Sequence, residues 1–487
     1  MAMNTESDAG LLCTQPFIDG NWLSSSASFD VLDPASRERL ASVAQTSLVQ
    51  AQAAIDAAER ALPDWRDRPA QERASLLRRW FDLIITHQEA LAQLLTSEQG
   101  KPLAEARGEV RYGAAFVEWF AEEARRIEGD IIPAAGRDRR TLVLRQAVGV
   151  CAAITPWNFP VAMVTRKIAP ALAAGCSIVL KPAEQTPLCA LALAKLAQEA
   201  GIPAGVFNVL PADSARSVEI GQLLCASPAV RHLSFTGSTE VGRLLMAQCA
   251  PTVKRLAMEL GGHAPFIVFD DADLDAALDG AMLAKYRNAG QTCVCANRFL
   301  IQAGLHDAFV SGLAERTARL VSGDGRTPGV QVGPLIDDAA VSKVMRHIDD
   351  ARQRGARVEA GGKATGGGFV QPTVLSGVTP DMLIAREETF GPVAAVMKFE
   401  TVEEAIALAN ASESGLAAYF YSRDLGQVWQ VAEKLEYGMI GINTAAISYE
   451  TVPFGGIKQS GFGREGSRYG IEEYVSLKYL CMAGLPG

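Results

Sequence analysis

The 487-residue chain is too long for one ordinary hydrophobic core, so we expect two or three domains. Its composition, 48% hydrophobic and 21% charged, is typical of a globular protein, and a net charge of −9 without basic clusters argues against a nucleic-acid partner. No window approaches roughly eighteen consecutive apolar residues, the length that a membrane-spanning helix needs, so no membrane association is expected.

The first predicted elements are a short strand pair over 17–22, turning at Asp19-Gly20, and a long helical region over 49–127. Within that region we expect breaks at Pro63 and near Gly100. Apolar runs then alternate with helical patterns, which is typical of parallel βαβ units. The predicted strands cover 148–154, 177–180, 206–210, 230–235 and 254–258, and the predicted helices cover 160–175, 187–200, 218–226 and 239–250.

A second alternation follows Gly262. It has predicted strands at 266–269 and 298–302, and predicted helices at 273–288 and from His306. The simplest account is a second α/β unit. Two further segments, 140–148 and 473–479, alternate apolar and polar residues, and we interpret them as exposed strands that serve assembly.

A thiol, a carboxylate and a side-chain amide stand out because glycine or proline marks the setting of each. Cys293 follows Gly290-Gln291-Thr292, Glu259 precedes a Leu-Gly-Gly sequence, and Asn158 lies between two prolines. A thiolate that attacks an aldehyde forms an oxyanion, which the Asn158 amide and the Cys293 backbone N–H can stabilise. Loss of hydride leaves a thioester, and Glu259 can activate the water that hydrolyses it. The three residues together predict oxidation of an aldehyde.

The hydride needs an acceptor, and two segments can bind a dinucleotide. Phe235–Gly242 follows a predicted strand and opens a helix, so Gly237 and Ser238 can hold a pyrophosphate at the helix N-terminus. This segment lacks the G-x-G-x-x-G spacing, and alone it is a weak signal. Lys181 and Glu184 follow another predicted strand and can bind the hydroxyls of a ribose. The alternative for this pair is a solvated loop.

Over essentially its whole length the sequence resembles the aldehyde dehydrogenase superfamily. The motifs that carry the resemblance are Thr155–Pro160, Lys181–Glu184, Phe235–Gly242, Glu259–Gly262, Gly290–Cys293, Glu387–Pro392 and Pro453–Gly456. The resemblance implies that Cys293 is the nucleophile, Glu259 the general base and Asn158 the oxyanion donor. The cofactor contacts that it implies are Lys181 and Glu184 at the adenosine ribose, Glu388 and Phe390 at the nicotinamide ribose and ring, and Thr155, Pro156, Trp157, Gly237 and Ser238 nearby.

The same resemblance implies an α/β architecture with a Rossmann-like cofactor domain, a second α/β catalytic domain and a small β oligomerisation element. We assign 1–127 and 149–260 to the cofactor domain, 261–460 to the catalytic domain, and 128–148 with 470–487 to the oligomerisation strands. A homodimer or homotetramer is expected. NAD is the expected cofactor and NADP the alternative, because Glu184 can accept a hydrogen bond from a ribose 2′-hydroxyl but would repel a 2′-phosphate.

Within the superfamily, the sequence is most similar to the succinate-semialdehyde dehydrogenases. The segments that show this are 164–167, 286–288, 293–295 and 461–466. In that branch two arginines and a serine hold the substrate carboxylate, which implies this role for Arg166, Arg287 and Ser448. Arginine suits the role because it binds carboxylates through two hydrogen bonds. The expected substrate is a short ω-carboxy aldehyde, succinate semialdehyde first and glutarate semialdehyde second. The alternative is that both arginines lie on the protein surface.

Cys295 is a candidate redox partner of Cys293. In an extended segment, Cα atoms two residues apart lie about 6.5–7 Å from each other, the upper limit for a strained disulfide. Of the nine cysteines, most are isolated in apolar surroundings, as expected of reduced cytoplasmic thiols, and Met1–Gly10 does not have the pattern of a targeting segment. The five histidines have no ligand spacing, so no metal site is predicted.

Other functions stay open at this point. A cysteine-dependent esterase would need a histidine beside the thiol, and no histidine lies in a recognisable motif. A non-catalytic structural member of the fold is disfavoured by the presence of Cys293, Glu259 and Asn158. Acyl transfer to coenzyme A is disfavoured by Glu259, because this residue would activate water instead.

Overall fold

The computed structural model describes residues 10–484, and its largest sheet has eight strands. Five central strands run parallel, as the alternation predicts, and the outer ones run antiparallel. Across the sheet the strands are Asn21–Trp22, Phe17–Ile18, Phe207–Val209, Ser177–Lys181, Val150–Ile154, Val230–Thr236, Arg255–Glu259 and Gly461–Phe462. The predicted turn at Asp19-Gly20 is confirmed, with both residues in the left-handed region (φ 51° and 73°).

Helices cover both faces of this sheet and extend beyond it. They are Leu48–Arg66, Ala70–Thr86, Gln88–Gln99, Leu103–Glu123, Ala162–Ala174, Pro187–Glu199, Ser214–Ala226 and Thr239–Cys249. The predicted break near Gly100 is confirmed, because Gly100 ends its helix with φ 91°. The predicted break at Pro63 is wrong, since the first helix continues to Arg66. Pro63 lies in the last turn, where a missing amide donor interrupts little of the helix.

A second sheet of seven strands confirms the second α/β unit. Its strands in order are Arg357–Ala360, Thr373–Ser376, Val393–Phe399, Ala296–Gln302, Ala264–Val268, Ala417–Tyr421 and Met439–Ile442. All neighbours are parallel except the first pair. The accompanying helices are Leu274–Tyr286, His306–Ala318, Asp338–Gln353, Leu383–Arg386, Val402–Asn410 and Leu425–Lys434. The short helix Ser467–Gly470 lies instead against Phe120 of the helix Leu103–Glu123. Two-stranded ladders pair Ser28–Leu32 with Arg39–Ala44, Ala364–Gly366 with Phe369–Val370, and Ser414–Gly415 with Ile457–Lys458.

A third sheet stands apart from the other two. Val475–Met482 pairs antiparallel with Arg140–Ala147, which also pairs with Asp130–Ile132. The two alternating segments are therefore strands, as predicted. The proposed domain boundaries stay a prediction, and residues 1–9 and 485–487 of those domains lie outside the described residues. No helix formed by residues 10–484 has the length and apolarity needed to cross a membrane.

The predicted helix over 273–288 ends earlier than expected, and this bears on the site. It stops at Tyr286, and Asn288 and Ala289 both adopt left-handed backbone conformations (φ 53°). The chain then passes through a turn at Thr292–Cys295 before it enters the strand Ala296–Gln302. This irregular segment projects toward the carboxyl ends of the first sheet, where open α/β sheets bind ligands.

Candidate active site

Two cavities meet at the thiol of Cys293. One, of about 320 Å³, is lined by residues that include Arg166, Arg287 and Ser448. The other, of about 290 Å³, is lined by residues that include Asn158 and Glu388. Only Cys293 and Met163 line both. We call the first the substrate-side cavity and the second the cofactor-side cavity.

The irregular segment 287–295, which we call the thiol loop, is held close to the end of the strand Arg255–Glu259. Within the turn, the Cys295 N–H donates to the Thr292 carbonyl (3.0 Å), and the Tyr419 hydroxyl donates to the Val294 carbonyl (2.8 Å). A Cβ atom at Gly262 would lie only 2.2 Å from the Cys293 carbonyl oxygen. Gly262, the second of the two glycines after Leu260, is thus required for this close approach.

Burial governs the protonation of the two groups predicted to do the chemistry. Burial, and then the charge of Glu259, raise the pKa of the Cys293 thiol well above its usual value. Burial, and then the charge of Glu465, raise the pKa of Glu259 to about 8. Neither carboxylate oxygen of Glu259 has a hydrogen-bond partner among the described residues. Glu259 lines neither cavity itself, whereas Leu260 and Gly261, which follow it, line the cofactor-side cavity.

Asn158 is buried with its side-chain amide directed at the thiol loop. One amide hydrogen of Asn158 is donated to the Gln291 carbonyl (3.1 Å), and the Oδ1 atom has no partner among the described residues. Because the amide carries two hydrogens, the second stays available for another acceptor. The hydrogen bond to the Gln291 carbonyl brings the segment that follows the Val150–Ile154 strand together with the segment that carries Cys293.

The cofactor-side cavity brings together six of the nine residues predicted to contact a cofactor. The six are Pro156, Trp157, Gly237, Ser238, Glu388 and Phe390. The Phe390 ring packs edge-on against Trp157, with 5.5 Å between ring centroids, and Phe390 adopts an unusual positive φ of 56°. Glu388 accepts a hydrogen bond from the Gly262 N–H (3.1 Å), and burial raises its pKa to about 7.

A helix N-terminus closes one side of the cofactor-side cavity. Ser238 caps the helix Thr239–Cys249, and its hydroxyl accepts a hydrogen bond from the Val241 N–H (3.3 Å). The first amides of this helix and the adjoining Gly237 form a setting that suits phosphate groups. The glycine turn at Gly237, which was a weak signal in the sequence, thus lies at the start of a helix and on the wall of this cavity.

The other three predicted cofactor residues line neither cavity. Lys181 and Glu184 form an ion pair (3.4 Å) at the carboxyl end of their strand, and the Thr155 N–H donates to the Lys181 carbonyl (3.2 Å). Burial lowers the pKa of Lys181, while Glu184 opposes that shift. Lys181 and Glu184 therefore lie beside the cofactor-side cavity, one strand farther along the sheet.

The three predicted substrate-binding residues all line the substrate-side cavity, but they differ in their partners. Arg166 is fully buried, and its Nε lies 2.8 Å from Glu465. Its guanidinium also lies over the Phe454 ring (4.1 Å). Arg287 forms no ion pair within residues 10–484. Its guanidinium lies over the Phe159 ring (5.6 Å), and its charge opposes the rise that burial causes in the pKa of Glu105. Of the two arginines, Arg287 is thus the one without a salt bridge, whereas Arg166 shares the single carboxylate of Glu465 with Lys167.

Sequence reasoning missed one wall of the substrate-side cavity. Glu105, Glu109 and Tyr112 project into it from the helix Leu103–Glu123, together with Lys101 just before that helix. The signal was available in the sequence, because these helical residues recur at intervals of four and three, on one face of the helix. They were overlooked because they belong to none of the motifs.

The structure corrects one premise about Cys295. The segment from Cys293 to Cys295 is a turn, not the extended chain assumed from the sequence, and Cys295 is buried with its thiol near the Lys285 carbonyl (3.6 Å). The turn arises because Cys295 closes a backbone hydrogen bond to Thr292, which an extended chain lacks. A disulfide between the two thiols stays a prediction.

No histidine lines either of the two cavities described above. Three of the five, His232, His263 and His347, are buried elsewhere in the protein. Within residues 10–484 no group of three or more His, Cys, Asp or Glu side chains is placed to hold a metal ion. The thiol consequently lacks the imidazole partner that a cysteine hydrolase uses.

Comparison with known proteins agrees with this geometry. The model of the Aldehyde dehydrogenase family matches residues 22–480. The chain is 57% identical to 3-sulfolactaldehyde dehydrogenase of Pseudomonas putida, with 98% of this chain and 99% of that protein covered. It is 56% identical to the NADP(+) succinate-semialdehyde dehydrogenase of Escherichia coli (strain K12), with the same coverage.

The fold is shared with solved structures as well. The crystal structure of succinate-semialdehyde dehydrogenase from Burkholderia pseudomallei superposes with a TM-score of 0.97 at 56% identity, covering 99% of this chain and 100% of that one. The predicted pairing of a Rossmann-like unit with a second α/β unit is thereby confirmed. Taken with the two cavities that meet at one thiol, these matches establish that the chain belongs to the aldehyde dehydrogenase family.

Proposed function

We propose that the protein oxidises a short ω-carboxy aldehyde with NAD(P), and that succinate semialdehyde is its preferred substrate. One observation carries the proposal: Cys293 forms a wall of both cavities, so an aldehyde and a dinucleotide can reach the same sulfur from opposite sides. The free charge of Arg287 on one side supplies a site for a distant carboxylate.

The residues of the chain then divide the chemistry among themselves. The Cys293 thiol loses its proton to solvent, and the sulfur attacks the aldehyde carbon. A C–S bond forms as the carbonyl double bond becomes the single bond of an oxyanion. The Asn158 amide and the Cys293 backbone N–H hold the resulting oxyanion. After the hydride has left, Glu259 takes a proton from the water that attacks the thioester, and the carboxylic acid departs as the C–S bond breaks. The sum is aldehyde, NAD(P)⁺ and water giving acid, NAD(P)H and a proton.

The cofactor-side cavity fits a nicotinamide dinucleotide. Such a cofactor, when bound, supplies the hydride acceptor. Trp157 and Phe390 offer aromatic surfaces, Glu388 a hydrogen-bond acceptor, and Gly237 with Ser238 the start of a helix for phosphate. A Cβ at Gly261 would lie 3.0 Å from the Glu388 carboxylate, so a side chain there would crowd this acceptor.

Cofactor preference rests on Glu184. We propose NAD as the preferred form, but Lys181 pairs with Glu184 and weakens its repulsion of a 2′-phosphate, and the E. coli relative bears NADP(+) in its name. The variant Glu184→Gln should therefore lower the NAD/NADP ratio of kcat/KM by on the order of tenfold. Steady-state rates with both cofactors measure this ratio.

The matched control is Glu240→Gln, at an exposed carboxylate in the first turn of the Thr239–Cys249 helix. Phosphates near this helix are common to both cofactors, so the ratio should stay unchanged. A wild-type enzyme that favours NADP, or an unchanged ratio in Glu184→Gln, would contradict the role given to Glu184.

A panel of aldehydes tests the proposed substrate. kcat/KM should be highest for succinate semialdehyde, followed by glutarate semialdehyde, and lowest for butanal, which has no anionic end. 3-Sulfolactaldehyde belongs in the panel because a relative is named for it. If the sulfonate or glutarate substrate is preferred, the choice of succinate semialdehyde is wrong but the anion pocket stands. If butanal is preferred, the anion pocket itself fails.

We further propose that the protein is a homodimer or homotetramer joined through the third sheet. The strand Val475–Met482 lies at its edge and exposes large apolar side chains, among them Leu477 (68% exposed) and Tyr479 (63%). An exposed apolar edge strand favours pairing with another chain. Light scattering should show an oligomer that Leu477→Glu dissociates, whereas Lys478→Ala on the opposite face leaves it intact. A wild-type monomer would exclude this interface.

A further inference from the structure

A buried network surrounds the peptide carbonyl of Asn158. That oxygen accepts two hydrogen bonds, from the Lys101 ammonium (2.9 Å) and from the Asn288 side-chain amide (2.9 Å). Both donors are side chains, one just before the helix Leu103–Glu123 and the other in the thiol loop. The position of Asn158 between two prolines leaves its carbonyl without a regular secondary-structure partner, so these side chains supply what the backbone does not.

The ammonium group of Lys101 has protein partners on several sides. It is 2% exposed, pairs with Glu109, and places its ammonium 3.9 Å from the centre of the Phe159 ring. Glu109 also accepts hydrogen bonds from the Val161 N–H (2.9 Å) and the Ala162 N–H. Although Lys101 lies on the wall of the substrate-side cavity, its charge is committed to the segment that follows Asn158.

The same network reaches the thiol loop from a second direction. The Asn288 amide donates to both the Asn158 carbonyl and the Gln291 carbonyl (3.1 Å), and the Asn158 amide donates to that Gln291 carbonyl as well (3.1 Å). Asn158, Asn288 and Gln291 thus form a closed ring of hydrogen bonds. Cys293 lies two residues beyond Gln291, so the ring fixes the direction of the Asn158 amide relative to the sulfur.

We propose that Lys101 and Asn288 are positioning residues that set the oxyanion-binding amide of Asn158 before the aldehyde arrives. The inference rests on the proposed role of Asn158. Donors that stabilise an oxyanion act through their fixed orientation, and a small misplacement weakens them strongly. Loss of either side-chain donor should accordingly slow formation of the thioester.

The experiment is a double-mutant cycle read by rapid mixing. In the full-length enzyme, Lys101→Met should slow the burst of reduced cofactor about tenfold to a hundredfold, the range expected for hydrogen bonds that involve a charged group. In an Asn158→Ala background the same substitution should change the burst rate less than about threefold, because the side-chain amide that Lys101 is proposed to position is then absent. Lys101→Arg, which keeps a cationic donor, should recover part of the rate.

Lys254→Met is the matched control. Lys254 is likewise a buried lysine that donates to backbone carbonyls, those of Ser227 (2.8 Å) and Val230, at the opposite end of the first sheet. Its loss should lower the melting temperature without slowing the burst. An equal slowing in Lys254→Met would show that the effect of Lys101→Met is only a loss of stability.

A second variant keeps the test decisive if Lys101→Met does not fold. Asn288→Asp keeps the side-chain volume and tolerates the left-handed backbone, but it turns a donor toward Asn158 into an acceptor. It should slow the burst to a similar extent. If Asn158→Ala leaves the burst rate intact, the proposed role of Asn158 fails. If Asn158→Ala slows the burst but Lys101→Met acts equally in both backgrounds, the positioning role is overturned.

Discussion

Replacement of Cys293 by alanine is expected to abolish both the burst of reduced cofactor and steady-state turnover, because no thioester can form without the sulfur. The variant Glu259→Gln should affect the burst and the steady-state turnover differently. The burst should persist, since the thiol and the Asn158 amide are intact, whereas turnover should fall by roughly 10²- to 10⁴-fold, the usual range for loss of a general base. Rapid-mixing absorbance of the reduced cofactor measures both quantities in one trace.

The pH dependence provides the internal control for this prediction. A carboxyl group whose pKa is raised to about 8 is mostly protonated at neutral pH, so its base form increases as the pH rises through that value. Thioester hydrolysis in the wild type should increase over the same interval, and Glu259→Gln should lose that limb. Normal turnover in Glu259→Gln, or an unchanged rise of thioester hydrolysis with pH in this variant, would show that Glu259 is not the general base.

Arg287→Ala should lower kcat/KM for succinate semialdehyde by about tenfold to a hundredfold, which corresponds to the loss of a charge-assisted hydrogen bond. Its guanidinium lines the substrate-side cavity without a salt bridge among the described residues, so it is available to pair with the carboxylate of a substrate. The loss for butanal should be much smaller. Steady-state rates with the two aldehydes measure the difference directly.

Arg166→Ala serves as the contrasting variant. Arg166 and Lys167 are both paired with Glu465, and all three are buried. Removing one member of a buried ion pair typically costs about 3–5 kcal/mol of stability. The melting temperature should therefore fall, and activity toward both aldehydes should suffer. Equal losses on the acid and on butanal in Arg287→Ala would rule out Arg287 as the carboxylate anchor.

Much of the fold could be predicted because it follows from local patterns. The strands that end at Ile154 and Glu259 are short apolar runs, and period and turn residues specify such elements within a few positions. The helix that ends at Tyr286 was predicted two residues too long. Its end depends on left-handed Asn288 and Ala289, and the contacts of these residues are with distant segments such as Asn158.

The residues of the site also fall into two groups, those that short motifs identify and those that only the tertiary structure reveals. Cys293, Asn158 and Glu388 could be identified because each belongs to a short motif, and the structure places them around the same two cavities. Lys101 and Glu109 were overlooked because they belong to none of the motifs, and because their partners lie about fifty residues away along the chain. A sequence pattern records which side chains are present, but only tertiary structure shows that Arg166 shares the Glu465 carboxylate with Lys167.

The arrangement of the cavities also bears on how such enzymes diverge. The two cavities share only Cys293 and Met163 as lining residues. A substitution at any other residue of the substrate-side cavity therefore leaves the lining of the cofactor-side cavity unchanged. If Arg287 is the anion anchor, as proposed, changes beside it would alter which anion is preferred without changing the residues around the cofactor-side cavity. The relatives that are 57% and 56% identical to this chain are indeed named for different substrates, 3-sulfolactaldehyde and succinate semialdehyde.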